Sequence, residues 1–189
     1  ALNLFPPVDF PWERTISELL QRNGLVSGVA AVKILLTRGE IAVLGLPASE
    51  RPTIIIYARH YEPPADDEYR TGWPVVTFPE RRSNFLGKHK SLNYLFCLAA
   101  RQYAVDWGGR EGLLLEADGT VAEGSMTAIL WQEHDRLFTP LAGSALASVT
   151  IIVLQEACRQ QGMSLTAAPV TPAGLAAAQG VWLANSLIG

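Results

Sequence analysis

The stretch EGLLLEADGTVAEG, residues 111–124, narrows the fold more than any other part of the chain. An apolar run ends at Glu116, Asp118-Gly119 supplies turn residues, and a second apolar run resumes at Val121. An Asp-Gly pair between two such runs predicts two antiparallel strands closed by a tight turn. A further strand pair is predicted over 126–140, MTAILWQEHDRLFTP. The chain therefore carries hairpins in its second half, and the rest of it must supply elements to cover them.

Those elements can be read from spacing. FPWERTISELLQRNG (10–24) predicts a helix, with Pro11 in its first turn, an Ile16, Leu19, Leu20 stripe and Gly24 as the stop. VAAVKILLTRG (29–39) and TIIIYAR (53–59) predict strands bounded by Gly and Pro. HYEPPADDEYRTG (60–72) is polar and Pro-rich and predicts a loop, the best internal boundary. WPVVTF (73–78) predicts a strand. From Ser91, the positions Leu92, Leu95, Phe96, Ala99, Ala100 and Tyr103 predict a helix with one buried face. A small-residue loop over 141–150, a helix stopped by Gly162, and then strand, helix and strand complete the chain. The domains expected are 1–60, a small α/β unit, and 73–189, a larger one, joined by 61–72.

Composition limits the partners. The 189 residues are 49% hydrophobic and 17% charged, enough apolar material for a core. A net charge of −3 gives no global basic field toward nucleic acid or an anionic membrane. No apolar run is long enough to cross a bilayer. Cys97 and Cys158 lie in apolar helical stretches and are expected as buried thiols, which suits a reducing, cytoplasmic compartment. His60, His89 and His134 are far apart in sequence, and no Cys/His spacing suggests a metal.

Chemistry centres on GKHKSLNYL, 87–95. Lys90 is either a solvated surface charge, as Lys88 is expected to be, or an amine at the mouth of a pocket. It precedes a helix that must dock on a sheet, which would draw its stem inward. Burial lowers an amine's pKa, and a neutral amine can attack a carbonyl.

Four segments carry a family resemblance: KSLNYL from Lys90, EADGTVAEGSMTAILW from Glu116, ASVT ending at Thr150, and VWLANS ending at Ser186. In order and rough spacing they resemble the class IV pyridoxal-phosphate enzymes, which include branched-chain and D-amino acid aminotransferases and aminodeoxychorismate lyases. The resemblance runs from about Gly24 to the C-terminus. It implies a two-domain α+β or α/β fold of the D-amino acid aminotransferase-like type, truncated here at both ends. It also implies pyridoxal 5′-phosphate as cofactor, a small amino acid or 2-oxo acid as substrate, and a homodimer.

Residue by residue, the resemblance makes Lys90 the Schiff-base lysine and the general base and acid at the substrate's Cα. It makes Glu123 the partner of the pyridine nitrogen, where a carboxylate keeps the nitrogen protonated. The alternative for Glu123 is a solvated residue at a strand end. Gly124 would let the chain turn close to the ring. Val149 and Thr150, opening a helix, match the phosphate-binding amides; alternatively Ser148 or Thr150 is an ordinary N-cap. Ser186 matches a hydroxyl that adds to the phosphate site, and the turn through Leu187 matches a substrate-carboxylate site. Tyr94 resembles the tyrosine that some members point at the cofactor's 3′-oxygen, or else packs its helix. Arg38, Arg59 and Arg70 are candidates to meet a substrate carboxylate, with a surface role for each the stronger expectation.

The chain departs from the family pattern in places. The phosphate loop usually reads Gly-hydrophobic-Thr-Arg, and here it is Ser148-Val149-Thr150-Ile151. Ala128 stands where Asn is common. Residues 1–28 hold no match for the arginine that clamps the phosphate, and the C-terminus stops short of the family's last strand and helix. The chain begins at Ala1 rather than Met, so an upstream piece is expected. The function expected is amino transfer through Lys90, with aminodeoxychorismate lysis, toward 4-aminobenzoate, as its alternative. A degenerate relative that binds a partner without catalysis is a second alternative.

Overall fold

The computed structural model describes residues 2–49, 51–82 and 85–188. It divides the chain into two units, 1–63 and 64–189.

In the first unit, α1 (Trp12–Arg22) is followed by β1 (Ala30–Thr37) and β2 (Thr53–His60). The strands pair antiparallel from Ala30 opposite His60 to Thr37 opposite Thr53. Pro11 sits just before α1, at the N-cap position, rather than inside its first turn. Arg38 is committed structurally: its guanidinium donates to the carbonyls of Leu2, Asn3 and Pro47.

The boundary segment is not wholly a loop. Asp66–Thr71 forms α2, and the unit boundary falls between Pro63 and Pro64. Three acidic residues, Asp66, Asp67 and Glu68, occupy the first turn of α2, where the helix dipole favours negative charge. The Glu68 carboxylate also accepts the Ala65 amide at 3.1 Å, as in half of a capping box. Local capping thus outweighs the Pro-rich character of the segment. Arg70 pairs with Asp67 on its surface.

The second unit contains two sheets. The first has the order β3-β4-β5, from β3 (Val75–Arg82), β4 (Glu111–Glu116) and β5 (Val121–Gly124). The second has the order β8-β7-β6-β9, from β6 (Ala128–Glu133), β7 (Arg136–Pro140), β8 (Leu165–Ala168) and β9 (Gly180–Ala184). Two parallel pairs, β3 with β4 and β7 with β8, require crossovers. These are supplied by α3 (Leu95–Asp106) and α4 (Val149–Gln160); α5 (Pro172–Ala177) leads into β9.

The continuous apolar runs follow from burial on both strand faces. Leu113 and Leu115 point to one side of β4 and pack with Ile129 and Trp131 of β6. Leu114, between them, packs with Phe78 and with Ala100 of α3. Leu130, on the other side of β6, packs with Ile151 and Cys158 of α4. The order is therefore helix, sheet, sheet, helix, with the main core between the sheets. Alternate side chains serve different layers, so a strand covered on both faces reads as an unbroken apolar run.

α3 begins at Leu95, four residues later than spacing predicts. Ser91 takes its backbone into a turn instead: its amide donates to the His89 carbonyl at 2.7 Å and its hydroxyl accepts the Asn93 amide at 3.3 Å. Such local bonds compete with helix formation. Leu92 and Leu95 are exposed, and the buried face of α3 is Ala100 and Ala104. No helix among the described residues is long and apolar enough to cross a membrane.

Candidate functional site

A cavity of about 470 Å³ opens in the second unit where β3, β5, α3, α4 and β9 bring their ends together. That volume lies within the range of ligand cavities, roughly 300–1,000 Å³. Its lining includes Lys90, Tyr94, Glu123, Val149, Thr150 and Ser186. Six positions separated by up to 96 residues of chain are thus gathered on one surface. Leu187 is not part of that lining; its amide donates to the Asn185 side-chain oxygen at 2.8 Å.

Lys90 stands in the turn before α3. Its side chain is exposed on the cavity wall, not drawn inward as the docking of the following helix predicts. Its Nζ lies 5.9 Å from the centre of the Tyr94 ring. Tyr94 is half-buried and is the residue from which α3 departs.

Glu123 is held on both oxygens. Oε1 accepts from Arg82 Nη2 at 2.6 Å, and Oε2 accepts from the Leu146 amide at 3.1 Å. Its side chain retains 15% exposure, so it is neither solvated nor sealed. Burial pushes its carboxyl above the ordinary glutamate value. The Arg82 charge and hydrogen bond, the Leu146 amide and the Lys90 charge all act in the opposite direction. Lys90 is therefore close enough to influence Glu123 electrostatically.

Arg82 was not anticipated from the sequence. It ends β3 on the same face as Phe78, and its side chain is only 5% exposed. Its Nε donates to the Ser144 hydroxyl at 3.1 Å, tying the strand to the 141–148 loop. Gly87 is required beside it: a Cβ at Gly87 would collide with the Ser144 carbonyl and lie 3.0 Å from the guanidinium. The usable signal was a cation at a core-facing position of a strand. Pro79 concealed it by suggesting that the strand ended at Phe78. Cys97 also lines the cavity, and burial pushes its thiol up, away from the reactive thiolate.

At the opposite wall, Ser148 caps α4 by accepting the Ile151 amide at 3.3 Å. Val149 and Thr150 are the first two residues of that helix, so their amides precede the intrahelical ladder. They offer donors and the positive end of the helix dipole to an anion. Ser148 is an N-cap, and Val149 and Thr150 line the cavity. Gly124 also lines the cavity. A Cβ there would collide with the Thr127 hydroxyl and sit 3.1 Å from the Glu111 carboxyl carbon.

The site combines an amine, a paired carboxylate and a helix N-terminus around one cavity. Those groups fit the three handles of a phosphorylated pyridine aldehyde: its carbonyl, its ring nitrogen and its phosphate. Among the described residues, no group of three or more His, Cys, Asp or Glu could hold a metal ion.

Comparison with known proteins gives matches of three kinds. A family model described as amino-transferase class IV matches residues 1–189. The aminodeoxychorismate lyase of Bacillus subtilis (strain 168) is 25% identical over 176 residues, covering 92% of this chain and 59% of that protein. A structure from Legionella pneumophila, provisionally assigned as a 4-amino-4-deoxychorismate lyase, superposes with a TM-score of 0.84 at 22% identity, covering 97% of this chain and 68% of that one. The branched-chain amino acid aminotransferase of Escherichia coli gives 0.74 at 20% identity, covering 97% and 61%. These likenesses support the two-domain α+β fold type, and this chain spans about three fifths of the Bacillus protein's length.

Proposed function

The chain belongs to the amino-transferase class IV family, and from that premise we propose that its cavity binds pyridoxal 5′-phosphate and acts at the amine-bearing carbon of its substrate. The observation that carries this reading is the joint placement of Lys90, Glu123 and the N-terminus of α4 on one cavity. When bound, the cofactor supplies an electron sink for negative charge developing at that carbon.

The chain's own residues do the rest. Lys90 Nζ is the nucleophile that would hold the cofactor, and its exposure leaves it accessible to an incoming amine. Once displaced, the same amine would take a proton from that carbon and pass it on. Glu123 would hold a proton on the ring nitrogen. Arg82 and the Leu146 amide fix the carboxylate's orientation for that task before any ligand arrives. The amides of Val149 and Thr150, with the Ser186 hydroxyl, would bind the phosphate and set the ring's position.

Of the two reactions, we favour the lysis of aminodeoxychorismate to 4-aminobenzoate, with the enolpyruvyl side chain leaving as pyruvate. The Bacillus relative, matched over 92% of this chain, supports it. Amino transfer to a 2-oxo acid is the second reading, supported by Tyr94 at the cavity beside Lys90. Incubating the protein with aminodeoxychorismate, and separately with D- or L-amino acids and 2-oxo acids, separates them. Release of 4-aminobenzoate with equimolar pyruvate, and no amino exchange between amino acids and added 2-oxo acids, supports the first, and the converse supports the second. A homodimer belongs to the same proposal. Leu95 on α3 is 76% exposed, and Ile152 and Val153 on α4 are 58% and 62% exposed, apolar surface of the kind a second copy covers.

A further inference from the structure

Glu111 opens β4 and is fully buried, yet it lines no part of the cavity. Among the described residues no cation pairs with it. Its carboxylate is instead surrounded by donors. Oε1 accepts the Gly112 amide at 2.8 Å, the Ser125 amide at 3.0 Å and the Ser125 hydroxyl. Oε2 accepts the Thr127 hydroxyl at 3.0 Å and the Met126 amide at 3.4 Å. Five donors around two oxygens satisfy the carboxyl group without a cation. These contacts replace the water that a buried polar group loses.

Four of the five donors belong to residues 125–127. That segment is where the chain leaves the first sheet for the second. β5 pairs with β4 as far as Gly124 opposite Leu113, and β6 begins at Ala128. Glu111 supplies acceptors at the crossing, where the ladder ends. Every residue from Glu123 to Ala128 lines the cavity. The carboxylate behind the wall therefore determines where the wall stands.

We propose that Glu111 is a positioning residue that acts through the 124–127 turn to aim Glu123 into the cavity. Gln at this position would present an NH₂ group to donors, and at least one buried N–H or O–H would lose its acceptor. The turn would loosen while the core layers on either side, built on Leu114 and Ile129, stay packed.

Two measurements on Glu111→Gln test this. The first uses the ligand-free protein and amide hydrogen exchange. The Ser125 and Met126 amides should exchange at least about tenfold faster, with the Leu114 and Ile129 amides unchanged. The second rests on the cofactor reading above: affinity for pyridoxal 5′-phosphate should fall about tenfold, and the loss should shrink or vanish in a Glu123→Gln background, as expected for residues acting in series. Unchanged exchange at Ser125 and Met126, uniform acceleration across the whole fold, or an equal loss of affinity in both backgrounds would each overturn the proposal. If Glu111→Gln does not fold, Thr127→Val removes one donor and keeps the side chain's shape. It should accelerate exchange at Ser125 and Met126 severalfold, and no change there overturns the proposal. Failure of the parent protein to bind the cofactor would remove the cofactor reading alone, since the exchange measurement decides the role of Glu111 independently.

Discussion

Arg82 Nη2 lies 2.6 Å from Glu123 Oε1, and the two side chains keep only 5% and 15% of their exposure. A pair this buried is costly to break from one side, because the surviving charge has no water to replace its partner. Arg82→Met should lower unfolding free energy by about 3–5 kcal/mol. Arg82→Met with Glu123→Leu should lower it by less, since neither charge remains. Urea unfolding of the three proteins checks both statements.

Burial raises the Glu123 carboxyl above its ordinary value of 4.5, with Arg82 opposing. Between the unfolded and folded values the native state binds the proton more readily, so this group's contribution to stability falls as pH rises. It is fully present below the unfolded value and is lost as pH passes through the folded one. The stability of the parent protein minus that of Glu123→Gln should therefore be largest below the ordinary glutamate range and decline above it. Urea midpoints measured from acid to neutral pH check this, and a difference that grows with pH is the contrary result.

Val149 is the first helical residue after Ser148, whose φ of −82° and ψ of 124° suit a residue preceding proline. Val149→Pro therefore removes one amide while the helix persists. Binding of pyridoxal 5′-phosphate should weaken about tenfold, the worth of one hydrogen bond to a charged group. Binding of pyridoxal, which lacks the phosphate, should not change. Absorbance titrations with both compounds provide the measurement.

Gly87→Ala places a methyl group against the Ser144 carbonyl and the Arg82 guanidinium. The backbone there has little freedom to yield, so a loss of about 1–3 kcal/mol is expected, in the range of overpacked interiors. Arg82 should move with it. Thermal unfolding gives the loss, and weaker cofactor binding than in a surface Gly→Ala control such as Gly143→Ala gives the displacement.

How far the sequence was legible depended on whether each signal was local. Asp118-Gly119 closes the β4–β5 hairpin as its chemistry requires, and the runs through Leu113–Leu115 and Ala128–Trp131 are strands because both faces are covered. α2 was missed because six residues capped by acidic side chains look polar throughout. The late start of α3 was missed because Ser91 competes for its own backbone, a contest that apolar spacing does not register. At the site, Lys90, Tyr94, Glu123, Val149, Thr150 and Ser186 could be singled out through their motifs, and all six line the cavity. Arg82, on the wall, and Glu111, behind it, could not: they draw their meaning from partners 41 and 14 residues away. Only the fold brings those partners within hydrogen-bond reach.

The central claim is that the Lys90 amine holds pyridoxal 5′-phosphate in this cavity. The most direct measurement is to incubate the purified protein with the cofactor, fix any adduct with borohydride, digest, and locate the added mass. The account predicts one modified lysine, Lys90, with a near-ultraviolet to visible band that Lys90→Ala abolishes. Modification spread over Lys33, Lys88 and Lys90 alike, or an unchanged band in Lys90→Ala, would contradict it.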